Sequence, residues 1–321
     1  MVAMKTEIRG RYAPSPSGPL HAGNLRTALL SWLQVRLLNG TWILRIEDHD
    51  TARVKPGCEA RLMQDLRWLG LDWDEGPDKP GDVGPYQQSK RTAVYKHYFN
   101  QLQFNNSIYP CYCSRRDIQL AASAPHGRTL VYPGTCRKAG LTQLTKRQST
   151  SAWRFYVDQR QRDFYDEIAG IQHQDIAEEI GDFVVKRRDA LFAYQLAVVV
   201  DDASMGVTDV LRGMDLLDST PRQILLFQDL RLTVPRFWHV PLMSDTGGVR
   251  LSKRHDANSL AQLRATYKTA EQLVGFLAHS TGLIDRPESC SAAELLQQLD
   301  IETFRDRLQQ HALAAWSKSP K

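Results

Sequence analysis

Leu25, Ala28, Leu29, Trp32 and Leu33 recur at three- and four-residue spacing, which predicts a helix with one apolar face. Before that helix the chain reads as extended from Glu7 to Tyr12, and Pro14, Pro16 and Pro19 break the stretch from Ala13 to Pro19 into a loop. Asn39-Gly40 predicts the end of the helix, because both residues tolerate the left-handed backbone of a C-terminal cap. Thr41 to Ile46 is rich in strand formers and stops at the acidic run Glu47, Asp48 and Asp50. The order is that of a parallel β-α-β unit. Its polar loops fall at the carboxyl ends of the strands, where open α/β sheets place their ligands.

The pattern then loosens through the turn-rich span Asp72 to Gln87 and tightens again into a helix over Arg91 to Phe104. A cysteine-bearing segment, Tyr109 to Cys136, and polar sequence up to Ser151 follow. Strand-like pieces at Trp153–Val157, Asp182–Val185 and Gly206–Leu211 flank a helical stretch, Gln195–Asp202, so the α/β alternation resumes. The 67 residues after Arg254 are mostly helix-compatible. The expected fold is α/β: a doubly wound parallel sheet in two halves, 1–104 and 181–240, an inserted subdomain at 105–180, and a helical C-terminal region at 241–321.

Composition narrows the class. With 42% hydrophobic and 24% charged residues, the 321-residue chain reads as globular. Leu196 to Val200 is the longest apolar stretch and ends at Asp201-Asp202, far short of the roughly 20 residues of a membrane helix. Met1 to Arg11 has no apolar core, so no secretory signal is expected and the expected location is the cytoplasm. Three of the five cysteines (Cys111, Cys113 and Cys136) crowd one segment, which favours a local metal site over a disulfide framework. The net charge of +5 is weak evidence for a polyanionic partner such as RNA.

Two motifs carry chemistry. His21-Ala22-Gly23-Asn24 opens the first helix, where unpaired backbone N–H groups and a positive dipole end suit phosphate. Gly18 and Gly23 permit close approach of a nucleotide, and His21 offers a donor to a phosphate oxygen. Arg250-Leu251-Ser252-Lys253-Arg254 follows the turn Asp245-Thr246-Gly247-Gly248, placing Lys253 on a glycine-hinged loop able to reach a triphosphate. The bland readings are a capped, proline-rich loop for the first and a solvated basic loop for the second.

Together these motifs resemble the class I aminoacyl-tRNA synthetases of the glutamyl type, His21–Asn24 matching the HIGH signature and Arg250–Arg254 the KMSKS loop. The resemblance spans about Ile8 to Ala257; Asn24 stands where the second signature histidine would be, and the loop opens with arginine. It implies a Rossmann-type sheet, with ATP held by His21, Gly23, Asn24, Ser252 and Lys253, and with His21 and Lys253 as catalytic groups. It further implies a glutamate pocket made by Arg11, Tyr12, Ala13, Pro14, Ser15, Glu47, Tyr194 and Arg212. There Arg11 and Arg212 take carboxylates and Glu47 the ammonium. Magnesium would accompany ATP.

Cys111, Cys113 and Cys136 supply three soft ligands for a structural zinc. For the fourth, His126 is the commoner chemistry, whereas Tyr132 fits the Cys-x-Cys…Tyr-x-x-x-Cys pattern of the glutamyl-queuosine tRNA(Asp) synthetase family and is preferred. The short tail, too small for an anticodon-reading domain, and the His-Ala-Gly-Asn tetrad resemble that same family. The implied reaction passes glutamate to the queuosine base of tRNA(Asp), by a monomer. A truncated enzyme charging tRNA(Glu) and a non-catalytic RNA-binding paralogue are the alternatives. Arg115, Arg116, Arg137, Lys138, Lys186, Arg187 and Arg188 are candidate RNA contacts.

Overall fold

The computed structural model describes residues 7–114, 116–118, 131–138, 150–158, 161–243 and 260–316. Strand β1 (Arg9–Tyr12) runs parallel to β2 (Thr41–Leu44), with helix α1 (Ala22–Leu37) between them in sequence. The expected β-α-β unit is therefore present. Asn39 adopts φ 53°, the left-handed turn expected at the helix end. Gly10, in the middle of β1, lies so close under α1 that an added Cβ would sit 2.2 Å from Val35 Cγ2.

The expected later elements also form, with shifted ends: helix α3 (Thr92–Phe104), strands β4 (Ala152–Phe155) and β7 (Phe183–Lys186), helix α4 (Tyr194–Ser204) and strand β8 (Asp209–Gly213). Helix α2 (Cys58–Trp68) precedes α3, and helix α5 (Thr220–Asp229) follows β8. Three further strands complete the main sheet: a hairpin of β5 (Gln161–Asp166) and β6 (Gly170–Asp175), and β9 (Arg236–Val240). The main sheet has the order β2-β1-β8-β9-β5-β6 and is parallel except for β6, which pairs antiparallel with β5. The hairpin falls within 105–180 yet joins this sheet through Asp166 and Phe237. A separate antiparallel sheet, β3-β4-β7, forms around β3 (Ile108–Cys111).

Helix α1 buries residues around most of its circumference, including Leu25, Leu29, Leu30, Trp32 and Leu33. A helix that is apolar on more than one side needs cover on both. The sheet covers one side. The C-terminal helices α6 (Leu260–Thr266), α7 (Ala270–His279), α8 (Ala292–Gln298) and α9 (Ile301–Trp316) share its apolar cluster on the other, through residues such as Leu273, Leu277, Leu295, Phe304 and Leu308. A second cluster packs α3, α4 and α5 against β7 through Tyr95, Leu196, Val199, Leu226 and Val185. Among the described residues no helix is long and apolar enough to cross a membrane.

Candidate active site

A cavity of about 600 Å³ opens at the carboxyl ends of β1, β8 and β9, over the first turn of α1. Arg11 and Tyr12 end β1, Ala13, Pro14, Ser15 and Gly18 form the loop beyond it, and His21, Gly23 and Asn24 start α1. Glu47 follows β2, Tyr194 opens α4, and Arg212 lies near the end of β8; all of these line the same cavity. Pro241, Leu242 and Met243 close it beyond β9. Ser252 and Lys253, with the rest of Arg250–Arg254, lie outside the described residues, as do His126 and Arg115.

Helix α1 starts with His21 as its N-cap residue, and Asn24 Oδ1 accepts from the His21 backbone N–H at 3.5 Å. The asparagine thus caps the turn from its third position. Tyr12, stacked on Trp42, donates its hydroxyl to the Asn24 carbonyl at 3.2 Å, tying the end of β1 to this turn. An added Cβ at Gly23 would meet His21 Cε1 at 3.2 Å and Nδ1 at 3.3 Å. Glycine here lets the imidazole lie across the turn. At Gly18 nothing lies within 4 Å of an added Cβ, so closeness of neighbouring protein atoms does not demand glycine there.

Beneath the cavity lies a buried charge network that sequence reading missed. Asp202 Oδ1 accepts from Arg45 at 2.6 Å and from Arg11 Nε at 3.1 Å. Asp201 accepts from Arg91 Nε at 2.6 Å, Gln88 Nε2 at 2.8 Å and the Tyr95 hydroxyl at 3.0 Å. A signal was present: two adjacent acids end an apolar helical run, and Arg45 interrupts the apolar strand Trp42-Ile43-Leu44. Buried charges are tolerated only when paired and hydrogen-bonded in this way. Glu47 reaches Arg45 at 3.4 Å; burial pushes its carboxyl above the ordinary range, while Arg45 and Arg11 oppose that shift. Arg26, which also lines the cavity, donates to the carbonyls of Pro241 and Ser280, and burial lowers its pKa to about 10.

Arg212 is held differently. Its guanidinium donates to His239 Nε2 at 2.9 Å, Gln223 Oε1 at 2.8 Å, Thr220 Oγ1 at 2.8 Å and, more weakly, the Leu216 carbonyl at 3.4 Å. All four acceptors are neutral groups. Arg11 is balanced by a direct carboxylate, whereas Arg212 brings its charge to the cavity wall. That pattern suits an anionic ligand group, because arginine meets a carboxylate with a planar fork.

The three clustered thiols form a second constellation. Sγ atoms of Cys111, Cys113 and Cys136 all lie within 4.8 Å of one another. The Tyr132 hydroxyl sits beside them, 3.5 Å from Cys111 Sγ and 3.4 Å from Cys113 Sγ, and accepts the Cys136 N–H at 2.8 Å. Sulfurs on one tetrahedral zinc stand about 3.8 Å apart, given a Zn–S bond of about 2.3 Å, and a phenolic oxygen is a workable fourth corner. Burial works against the Cys136 thiolate, but hydrogen bonds from the Tyr112 N–H, Tyr132 and Cys113 outweigh it and hold its pKa below the usual thiol value. Three soft sulfurs and one oxygen fit a closed site for zinc.

The sequence profile described as tRNA synthetases class I (E and Q), catalytic domain, matches residues 7–313. The chain is 51% identical over 298 residues to a protein of Symbiobacterium thermophilum named glutamyl-Q tRNA(Asp) synthetase, covering 91% of this chain and 92% of that one. It is 43% identical to glutamate–tRNA ligase 2 of Acidithiobacillus ferrooxidans, across 87% of this chain and 60% of that one. A crystal structure of glutamate-tRNA synthetase from Elizabethkingia anophelis superposes with a TM-score of 0.79 at 26% identity, covering 92% of this chain and 66% of that one. A chain matched over residues 7–313, with the cavity over the His21–Asn24 turn and the parallel sheet beneath it, belongs to the class I tRNA synthetases of the glutamate and glutamine group.

Proposed function

We propose that the chain activates L-glutamate with ATP, forming glutamyl-adenylate and pyrophosphate, and passes the glutamyl group to the queuosine base in the anticodon loop of tRNA(Asp). The observation that carries this reading is the 51% identity, over nine-tenths of both chains, to a glutamyl-Q tRNA(Asp) synthetase. A glutamate–tRNA ligase at 43% identity keeps a second reading in play, in which the acceptor is the end of tRNA(Glu).

In this reading Arg212 and Arg11 take the carboxylates of glutamate, Glu47 takes its ammonium, and Tyr12, Ala13, Pro14, Ser15 and Tyr194 complete the wall. Glu47 must be ionised for that role; burial raises its pKa and works against this, and the ammonium of bound glutamate, with Arg45 and Arg11, favours the charged form. The α-carboxylate of glutamate attacks the α-phosphate of ATP and pyrophosphate leaves; magnesium accompanying ATP would neutralise part of the phosphate charge. No covalent protein intermediate is needed; positioning and fixed charge lower the barrier. His21 and the N–H groups at Gly23 and Asn24 bind the phosphates, and the motif resemblance gives Ser252 and Lys253 of the basic loop the same task. Zinc, held by Cys111, Cys113, Tyr132 and Cys136, would cross-link the segment around β3 and supply no step of the reaction.

The activation half is tested by ATP–pyrophosphate exchange with glutamate, glutamine or aspartate, with and without tRNA. Exchange with glutamate well above glutamine is expected, since a neutral amide cannot repay the desolvation of Arg212. Absence of exchange under all conditions would leave only the RNA-binding paralogue.

A further inference from the structure

Arg212 and His239 are direct neighbours across the parallel strands β8 and β9. The next strand, β5, ends at Asp166, whose Oδ2 lies 2.6 Å from His239 Nδ1. His239 and Asp166 are both fully buried. Three adjacent strands therefore deliver one chain of groups, Asp166, His239 and Arg212, to the rim of the cavity.

The hydrogen-bond geometry fixes where the protons sit. Asp166 Oδ1 already accepts three backbone N–H groups, from Ile168 at 3.0 Å, Ala169 at 2.8 Å and His239 at 3.1 Å. Its Oδ2 faces the imidazole and can only accept, so the ring proton lies on Nδ1. Nε2 then presents a lone pair to Arg212 Nε–H at 2.9 Å, and the Thr220 hydroxyl stands 3.2 Å from the same nitrogen. Burial and the neighbouring Arg212 both keep the imidazole neutral, against the pull of Asp166.

We propose that His239, oriented by Asp166, is a positioning residue for Arg212: it fixes the guanidinium by a neutral acceptor and leaves its charge for the substrate carboxylate. A carboxylate in the place of His239 would hold Arg212 as firmly but offset that charge one for one, whereas Asp202 is shared between Arg11 and Arg45 and so offsets each of them only in part. The inference rests on the reading of Arg212 as a carboxylate ligand for glutamate.

The test exploits the two ends of the ring. Asp166→Asn keeps Oδ1 for the three backbone donors and places its NH2 at Nδ1 of His239, which forces the proton onto Nε2 and aims it at Arg212. His239→Asn keeps a donor for Asp166 but no longer reaches Arg212, whereas His239→Gln keeps an acceptor at the ε position. Glutamate KM in pyrophosphate exchange is expected to rise roughly tenfold in Asp166→Asn and His239→Asn, with ATP KM within about twofold of wild type and His239→Gln largely restored. Imidazole 15N shifts of the wild-type protein, which require no variant to fold, are expected to report the Nδ1–H tautomer. An Nε2–H or doubly protonated ring, or an unchanged glutamate KM in His239→Asn, overturns the inference. Arg212→Lys separates the two layers. If it leaves glutamate KM unchanged, the assignment of Arg212 itself fails; if it raises KM while His239→Asn does not, only the role of His239 fails.

Discussion

An alanine at position 23 would press its Cβ against the His21 imidazole at 3.2 Å, so the ring must give by a few tenths of an ångström from its place over the first turn of α1. Gly23→Ala is expected to lower kcat for glutamate-dependent pyrophosphate exchange roughly tenfold or more while leaving the unfolding midpoint nearly unchanged, since the cost falls on the site and not on the core. Asp202 behaves in the opposite way. Burial disfavours its carboxylate, yet Arg11 and Arg45 outweigh that and hold its pKa below the ordinary 3.8. The stabilisation is therefore fully present above 3.8 and is lost as pH falls through the folded-state value. Asp202→Asn, which leaves two buried guanidinium groups short of a charge partner, should cost about 3–5 kcal/mol in urea unfolding at pH 7 and flatten the fall in stability below about pH 4. These residues differ in legibility. His21 and Gly23 announce themselves by motif, whereas Asp202, Asp166 and His239 act through partners up to 191 positions away in the chain, a relation that only the folded sheet creates.

Among the elements, β1, α1 and β2 were readable because their apolar period, cap and acidic stop agree with one another. The β5–β6 hairpin was not, since Gln161–Asp166 and Gly170–Asp175 are largely polar and leave Tyr165 and Ile171 exposed on one face. Strand β9 is only five residues, Arg236–Val240, between two prolines, and carries the buried His239. The contact of α1 with β1 gives a sharp mechanical prediction. Gly10→Ala drives a methyl into Val35, and the expected loss is about 1–3 kcal/mol, measured by denaturant unfolding with an unchanged m-value. For the cysteine segment, elemental analysis of the purified chain should find about one zinc per chain, and Cys136→Ala should abolish it with a lower thermal midpoint. Zinc-free wild-type protein of equal stability would remove the metal from the account.

Across the whole molecule, the C-terminal helices and the catalytic sheet share α1. The apolar cluster that includes Leu25 and Leu33 of α1 also includes Leu273, Leu277, Leu295, Phe304 and Leu308, so the tail is part of the core that holds the His21–Asn24 turn in place. That relation was invisible in sequence, where α6 to α9 read only as helix-compatible. A chain cut before Leu260 should expose this face and be recovered as aggregate, not as a folded catalytic half; a monodisperse, cooperatively melting product would contradict that. The choice of RNA acceptor also belongs to this scale, because it depends on how the whole surface meets a tRNA. The direct measurement is transfer of labelled glutamate, with ATP, to tRNA(Asp) containing queuosine, to tRNA(Asp) lacking it, and to tRNA(Glu). Label on the queuosine-containing tRNA alone is the predicted result, and label on tRNA(Glu), or on tRNA(Asp) without queuosine, would contradict it.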